Sequence, residues 1–120
     1  GLADHVQLLG KVDDNTLLSL YAAAYALLMP SLYEGYGLPV VEALSMGVPV
    51  VCSRDSAMSE VAGSAGLCVD PESETAISEA LARISVDSQL HEDLKKRTAV
   101  EIRRYDWDDS AHKMADLLLS

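Results

Sequence analysis

Apolar and polar positions run in blocks along this chain, and the period changes from block to block. Residues 6–9 (VQLL) form a short apolar run closed by Gly10, the pattern of a buried strand. Asp13, Asp14 and Asn15 offer N-caps to the run that follows, TLLSLYAAAY, which is rich in helix formers. Residues 26–29 (ALLM) stop sharply at Pro30 and Ser31 and read as a second strand. A loop with two glycines, SLYEGYG, covers residues 31–37. LPVVEALSMG then reads as a helix, with Pro39 in its first turn, where a missing N–H costs nothing, and Gly47 at its end. Residues 48–52 (VPVVC) read as a third strand, residues 59–62 as a short helix, and residues 67–69, ended by Asp70 and Pro71, as a fourth strand.

The last third of the pattern is helical. Ser73 can cap a helix whose Ala76, Ile77, Ala80, Leu81 and Ile84 recur on one face. Asp87 can cap the next, with Leu90, Leu94 and Ile102 inward and Lys95, Lys96 and Arg97 outward. A final helix presents Trp107, Ala111, Met114, Ala115 and Leu118 at helical spacing. Strands that alternate with helices predict an α/β domain: a parallel sheet flanked by helices, with right-handed crossovers. Ligands of such sheets bind outside the C-terminal ends of the strands, which is where the glycine loop after the second strand lies.

Composition sharpens this picture. The 120 residues amount to one domain, and 49% of them are hydrophobic, enough for a core. Phe is absent and Trp107 is the one Trp, so the core is expected to be mainly Leu, Val, Ala and Ile. The net charge of −10 disfavours nucleic acid and anionic membrane surfaces as partners. The opening GLADHVQLLG lacks the basic start and cleavage site of a secretory leader. The longest apolar stretch, residues 17–29, is too short to span a bilayer. Cys52 and Cys68 lie in apolar runs and read as two buried, reduced thiols, which favours a cytoplasmic location. His5, His91 and His112 are scattered, the last two on helix faces expected to be exposed, and no metal-ligand spacing is seen.

The candidate chemistry lies in PSLYEGYGLPVVEALSMGVPVV, residues 30–51. Glu34 and Glu42 have seven residues between them, and Gly35 and Gly37 fall inside that interval. The glycines allow a ligand to approach the backbone closely. Free N–H groups in the first turn of the following helix favour a phosphate. Glu42, about one turn into that helix, is placed to accept two hydroxyls of a ribose, and Glu34 to reach a polyhydroxylated sugar. The spacing alone does not choose between this and ordinary roles, a solvated loop residue and a carboxylate near a helix N-terminus. Tyr33 and Tyr36 flank the motif and suit packing better than stacking on a ligand.

The wording of residues 30–51 closely resembles the E-x7-E region of retaining glycosyltransferases of family 4, the glycosyl transferases group 1, which have the GT-B fold. So does SEVAGSAGLCVDPES at residues 59–73. Upstream, VQLLGKVDDNTLLSLYAAA is similar to the strand–Gly–helix step ahead of the motif in that family; downstream, RRYDWDDSAHKMADLL is similar to its C-terminal helix. The resemblance covers essentially the whole chain. It implies that residues 1–120 are part of a Rossmann-like C-terminal domain that binds a nucleotide sugar, with upstream strands and an N-terminal acceptor domain lying outside the chain. It implies transfer of a hexosyl group from a nucleoside diphosphate sugar, with no cofactor and no metal.

By the same resemblance Glu34 contacts the donor sugar and is the catalytic candidate, with backbone N–H groups of Gly35, Tyr36 and Gly37 around the sugar. Leu38 and Val40 face the diphosphate, and Glu42 holds the ribose. Gly10, Lys11 and Val12 lie near the base, although Lys11 suits a solvated loop at least as well. An Arg/Lys pair on the diphosphate belongs upstream, so the chain alone is expected to be inactive. The family usually has Pro where this chain has Ser59, before Glu60, which reads as structural. The full domain is expected to order its strands 3-2-1-4-5-6, which leaves the strands between the first and second seen here outside the chain. Either the first strand re-pairs locally or open edges seek the N-terminal half or a second chain. Two other readings stay open: a nucleotide-binding or interaction module without transfer activity, and a nucleotide-sugar epimerase-like domain.

Overall fold

The computed structural model of the chain describes residues 2–31 and 38–104. After a 3-10 turn at Leu2–His5, the elements are α1 (Asp14–Ala23), β1 (Leu27–Met29), α2 (Leu38–Ser45) and β2 (Val50–Ser53). Then come α3 (Ala57–Ala62), a 3-10 turn at Gly63–Ala65, β3 (Gly66–Val69), α4 (Glu74–Val86) and α5 (Ser88–Ile102). Local chemistry sets most of these bounds. The Asp13 carboxylate caps α1 by accepting from the Thr16 N–H at 2.7 Å. Ser73 caps α4 through Ala76 N–H, and Asp87 caps α5 through Leu90 N–H, each at 3.0 Å. Gly47 follows α2 at φ +75, a left-handed conformation that glycine adopts without a Cβ penalty.

The three strands form one parallel sheet in the order β1-β2-β3. Leu27 pairs with Val50, and Val50 with Gly66. β2 is central and every one of its residues is buried, which fits its unbroken apolar run. Its side chains alternate between two cores. Val50 and Cys52 join Val40, Leu44, Met58 and Ala62 of α2 and α3, together with Tyr21 of α1. Val51 faces the other way, onto Ala80 and Ile84 of α4 and Leu94 of α5. Burial of Leu44, Met58, Ile84 and Leu94, each no more than 2% exposed, contributes about 1.5–3 kcal/mol apiece. The architecture is thus helices on both faces of a parallel sheet.

Several expectations are corrected. The strand expected over residues 6–9 does not form: the segment has no ladder partner among the described residues, and Val6, Leu8 and Leu9 are 61%, 95% and 51% exposed. Apolar character makes a strand only where a neighbouring strand supplies hydrogen bonds, and among the described residues none lies beside this segment. Among the described residues the sheet accordingly has three strands rather than four, and neither β1 nor β3 has an outer strand partner. Along the β1 edge and α1 runs a groove of about 200 Å³ lined by Leu17, Leu20, Tyr21, Ala24, Ala26 and Leu27. Cys52 is buried but Cys68 is exposed, because β3 is an edge strand. His91 does not project freely from α5; its ring stacks on Tyr25 at 3.6 Å between centroids, and its Nε2 lies 2.8 Å from the Tyr25 carbonyl. The final helix expected around Trp107 lies outside the described residues.

Candidate functional site

The candidate site sits where β1 ends and α2 begins. Glu34, Gly35, Tyr36 and Gly37 lie outside the described residues, as does Tyr33, but both ends of the loop are defined. At the upstream end the Ser53 hydroxyl, at the C-terminal tip of β2, donates to the Ser31 carbonyl. That bond ties the exit of β1 to its neighbouring strand. At the downstream end α2 starts at Leu38, with Pro39 in its first turn as expected. The side chain of Val40 is fully buried in the core. Any part it takes in binding is therefore played by its backbone N–H.

Glu42 lies in the middle of α2 and is half-buried. Its neighbours Val41, Ala43 and Leu44 are buried, while Glu42 is turned towards α1. There the Tyr21 hydroxyl donates to Glu42 Oε2 at 2.9 Å. The same hydroxyl lies 3.4 Å from the Pro39 carbonyl. With a single proton to give, it serves the nearer, charged acceptor as its main partner. Burial pushes the Tyr21 phenol far above its ordinary value, and the hydrogen bond and charge of Glu42 push it the same way. Tyr21 is thus a fixed donor. No hydrogen bond among the described residues reaches Glu42 Oε1.

Gly10 and Lys11 are exposed and Val12 is half-buried, just ahead of α1. Gly10 has φ +64 and open space where a Cβ would stand. Among the described residues no hydrogen bond joins this turn to Glu42; it is linked to the site through α1, which carries Tyr21. Sequence reasoning missed Tyr21 altogether. The available signal was its place four residues after Leu17, on the face of α1 that meets the core.

Ser59 also gains a role. It forms a capping box with Ser56: Ser59 N–H donates to Ser56 Oγ at 3.2 Å, and Ser56 N–H to Ser59 Oγ at 3.0 Å. A proline at this position would lack the N–H that donates. Glu60 is exposed and its carbonyl accepts from Arg104 at 3.0 Å, a structural contact. Among the described residues no three His, Cys, Asp or Glu side chains converge as a metal site. No helix among them is long and apolar enough to cross a membrane.

Comparison with known proteins bears on what this arrangement is for. Residues 1–101 match the family described as Glycosyl transferases group 1. The chain is 41% identical over 104 residues to the O-antigen chain mannosyltransferase B of Escherichia coli, covering 87% of this chain and 27% of that protein. It is 37% identical over 118 residues to the MMP alpha-(1->4)-mannosyltransferase of Mycolicibacterium hassiacum, covering 92% of this chain and 28% of that protein. The fold is similar to that of a sucrose-phosphate synthase from Thermosynechococcus elongatus, with a TM-score of 0.82 at 30% identity. That match covers 98% of this chain and 30% of the synthase.

Proposed function

The chain belongs to the glycosyl transferases group 1 family, and we propose that it is part of the donor-binding domain of a retaining glycosyltransferase. In this reading the enzyme transfers a hexosyl group from a nucleoside diphosphate sugar to an acceptor. The observation that carries it is the carboxylate of Glu42, held by Tyr21 through Oε2, close behind a helix start at the C-terminal end of a parallel strand. This is where α/β sheets take nucleotides. Glu42 accepts the ribose hydroxyls. The N–H groups of Leu38 and Val40 meet the diphosphate, and Gly10, Lys11 and Val12 lie towards the base. Glu34 and the backbone of Gly35, Tyr36 and Gly37 bind the donor sugar.

As the glycosidic bond to the diphosphate breaks, positive charge grows on the sugar and negative charge on the departing phosphate. Backbone N–H groups fixed at the start of α2 stabilise that negative charge without reorganising. The reading uses no metal and no cofactor. It assigns residues 1–120 to a larger domain, whose remaining strands or an N-terminal half cover the open β1 edge. It therefore expects no transfer by the chain alone. It places the reaction in the cytoplasm, in keeping with two thiols that are not joined. Because the two relatives described above are mannosyltransferases, a nucleoside diphosphate mannose is the first donor to try.

The test is calorimetric titration of the full gene product with UDP, GDP and ADP, for the wild type and Glu42→Gln. One of the three nucleotides should bind, and the substitution should weaken it by about tenfold or more. Equal affinity in the two proteins, or no binding of any of them, overturns the reading.

A further inference from the structure

We infer that Tyr21 is a positioning residue: its hydroxyl locks the Glu42 carboxylate in the orientation that receives a vicinal diol, and so sets the preference for a ribonucleotide over a deoxyribonucleotide. The inference rests on the donor-binding reading of Glu42 given above.

Two features of Tyr21 are separable. The residue is 8% exposed and packs in the core with Val40, Leu44 and Val50, a structural task that phenylalanine would also perform. Its hydroxyl does something that packing does not require. It crosses from α1 to α2, 21 positions away in sequence, and meets Glu42 Oε2 at 2.9 Å. A glutamate on a helix surface has three side-chain torsions and samples several rotamers. Fixing one oxygen removes most of that freedom before any ligand arrives. Oε1, which takes no hydrogen bond from the described residues, and the remaining lone pair of Oε2 then form a preorganised pair of acceptors. Adjacent hydroxyls of a ribose match such a pair, whereas a 2′-deoxyribose offers one hydroxyl fewer.

The burial of the phenol supports this division. Burial and the adjacent carboxylate both hold its proton in place, so Tyr21 remains a donor to Glu42.

The experiment measures, on the full gene product, the affinity for the nucleoside diphosphate that binds and for its 2′-deoxy counterpart. The variants are Tyr21→Phe, Glu42→Gln and the double substitution. Tyr21→Phe should weaken the ribonucleotide about fivefold to tenfold, leave the 2′-deoxy compound unchanged, and so lower the ratio of the two by the same factor. With the complete enzyme, KM for the donor should rise while kcat holds. In the Glu42→Gln background, Tyr21→Phe should change the ratio no further, because the two act as one unit. A purely structural tyrosine would weaken both nucleotides equally and lower the melting temperature. If Glu42→Gln removes the preference and Tyr21→Phe keeps it, the positioning role is overturned and the donor-site reading stands. If the wild type shows no preference, or Glu42→Gln leaves it intact, both are overturned. Should Tyr21→Phe fail to fold, Glu42→Asp serves in its place. One methylene shorter, it keeps the charge but loses the reach to Tyr21, and an undiminished ribose preference in it overturns the inference.

Discussion

The carboxylate of Glu101, on α5, takes two hydrogen bonds from a single residue, Ser64. The Ser64 N–H reaches Oε1 at 3.1 Å and the Ser64 hydroxyl reaches the same oxygen at 2.6 Å. The other oxygen, Oε2, is buried and forms an ion pair with Arg104 Nε at 2.6 Å. α5 thereby clamps the turn that leads from α3 into β3. Glu101→Ala should lower stability by about 1–3 kcal/mol, because it removes the charge-assisted bonds from Ser64 and the ion pair with Arg104. Chemical denaturation of the two proteins checks this.

Glu101 also predicts a pH dependence. Burial raises its carboxyl pKa, but the bonds from Ser64 and the charge of Arg104 outweigh that and hold it below the ordinary 4.5. The unfolded chain therefore binds this proton more readily than the folded one. The stabilisation is complete above 4.5 and is lost as pH falls from there through the lower folded value. The gap in melting temperature between wild type and Glu101→Gln should be widest near neutral pH and should narrow below 4.5.

Gly63 tests the same clamp from the backbone. Its φ of +51 with ψ of −130 is a conformation that side chains rarely adopt. A Cβ there would collide with Glu101 Oε2, stand 2.6 Å from Cδ of the same residue and 2.8 Å from Arg104. Gly63→Ala should cost about 1–3 kcal/mol. Combined with Glu101→Ala the loss should be smaller than the sum, since the collision disappears with the carboxylate.

Cys52 and Cys68 face each other across β2 and β3 in direct register. The neighbouring Cys52 thiol lowers the Cys68 pKa to about 7 despite an opposing effect of burial. Alkylation of native protein should modify Cys68 with a pH midpoint near 7 and leave Cys52 untouched until the protein unfolds. Cys52→Ala should move that midpoint up towards the ordinary 9.0. An unmoved midpoint would show that the neighbouring thiol has no influence.

Ser53→Ala removes the bond that ties Ser31 to the tip of β2. A loss of about 0.5–1.5 kcal/mol in stability is expected. Amide hydrogen exchange should quicken around Ser31, while α4 and α5 keep their protection.

Most elements could be read directly from the sequence because their causes are local. Asp13, Ser73 and Asp87 cap their helices with their own side chains. Gly47 ends α2, and the apolar faces of α4 and α5 meet the sheet as their periodicity requires. What the sequence hid depends on residues far apart in the chain. Residues 6–9 have the composition of a strand, yet whether they pair is decided by backbone elsewhere. The Tyr21–Glu42 bond joins two helices, and nothing in the sequence singles out Tyr21 as the partner of Glu42. Thr98 and Glu101 were overlooked although they fall four and seven positions after the buried Leu94, on the same face of α5. Polar residues on a core-facing stripe were the available warning that a buried clamp was there.

Because β1, β2 and β3 are neighbours in both space and sequence, strand partners are separated by roughly twenty residues throughout the sheet. A chain leaving the ribosome delivers each strand soon after the one it docks against. The sheet can zip up in the order of synthesis, with little loop entropy to overcome at each step.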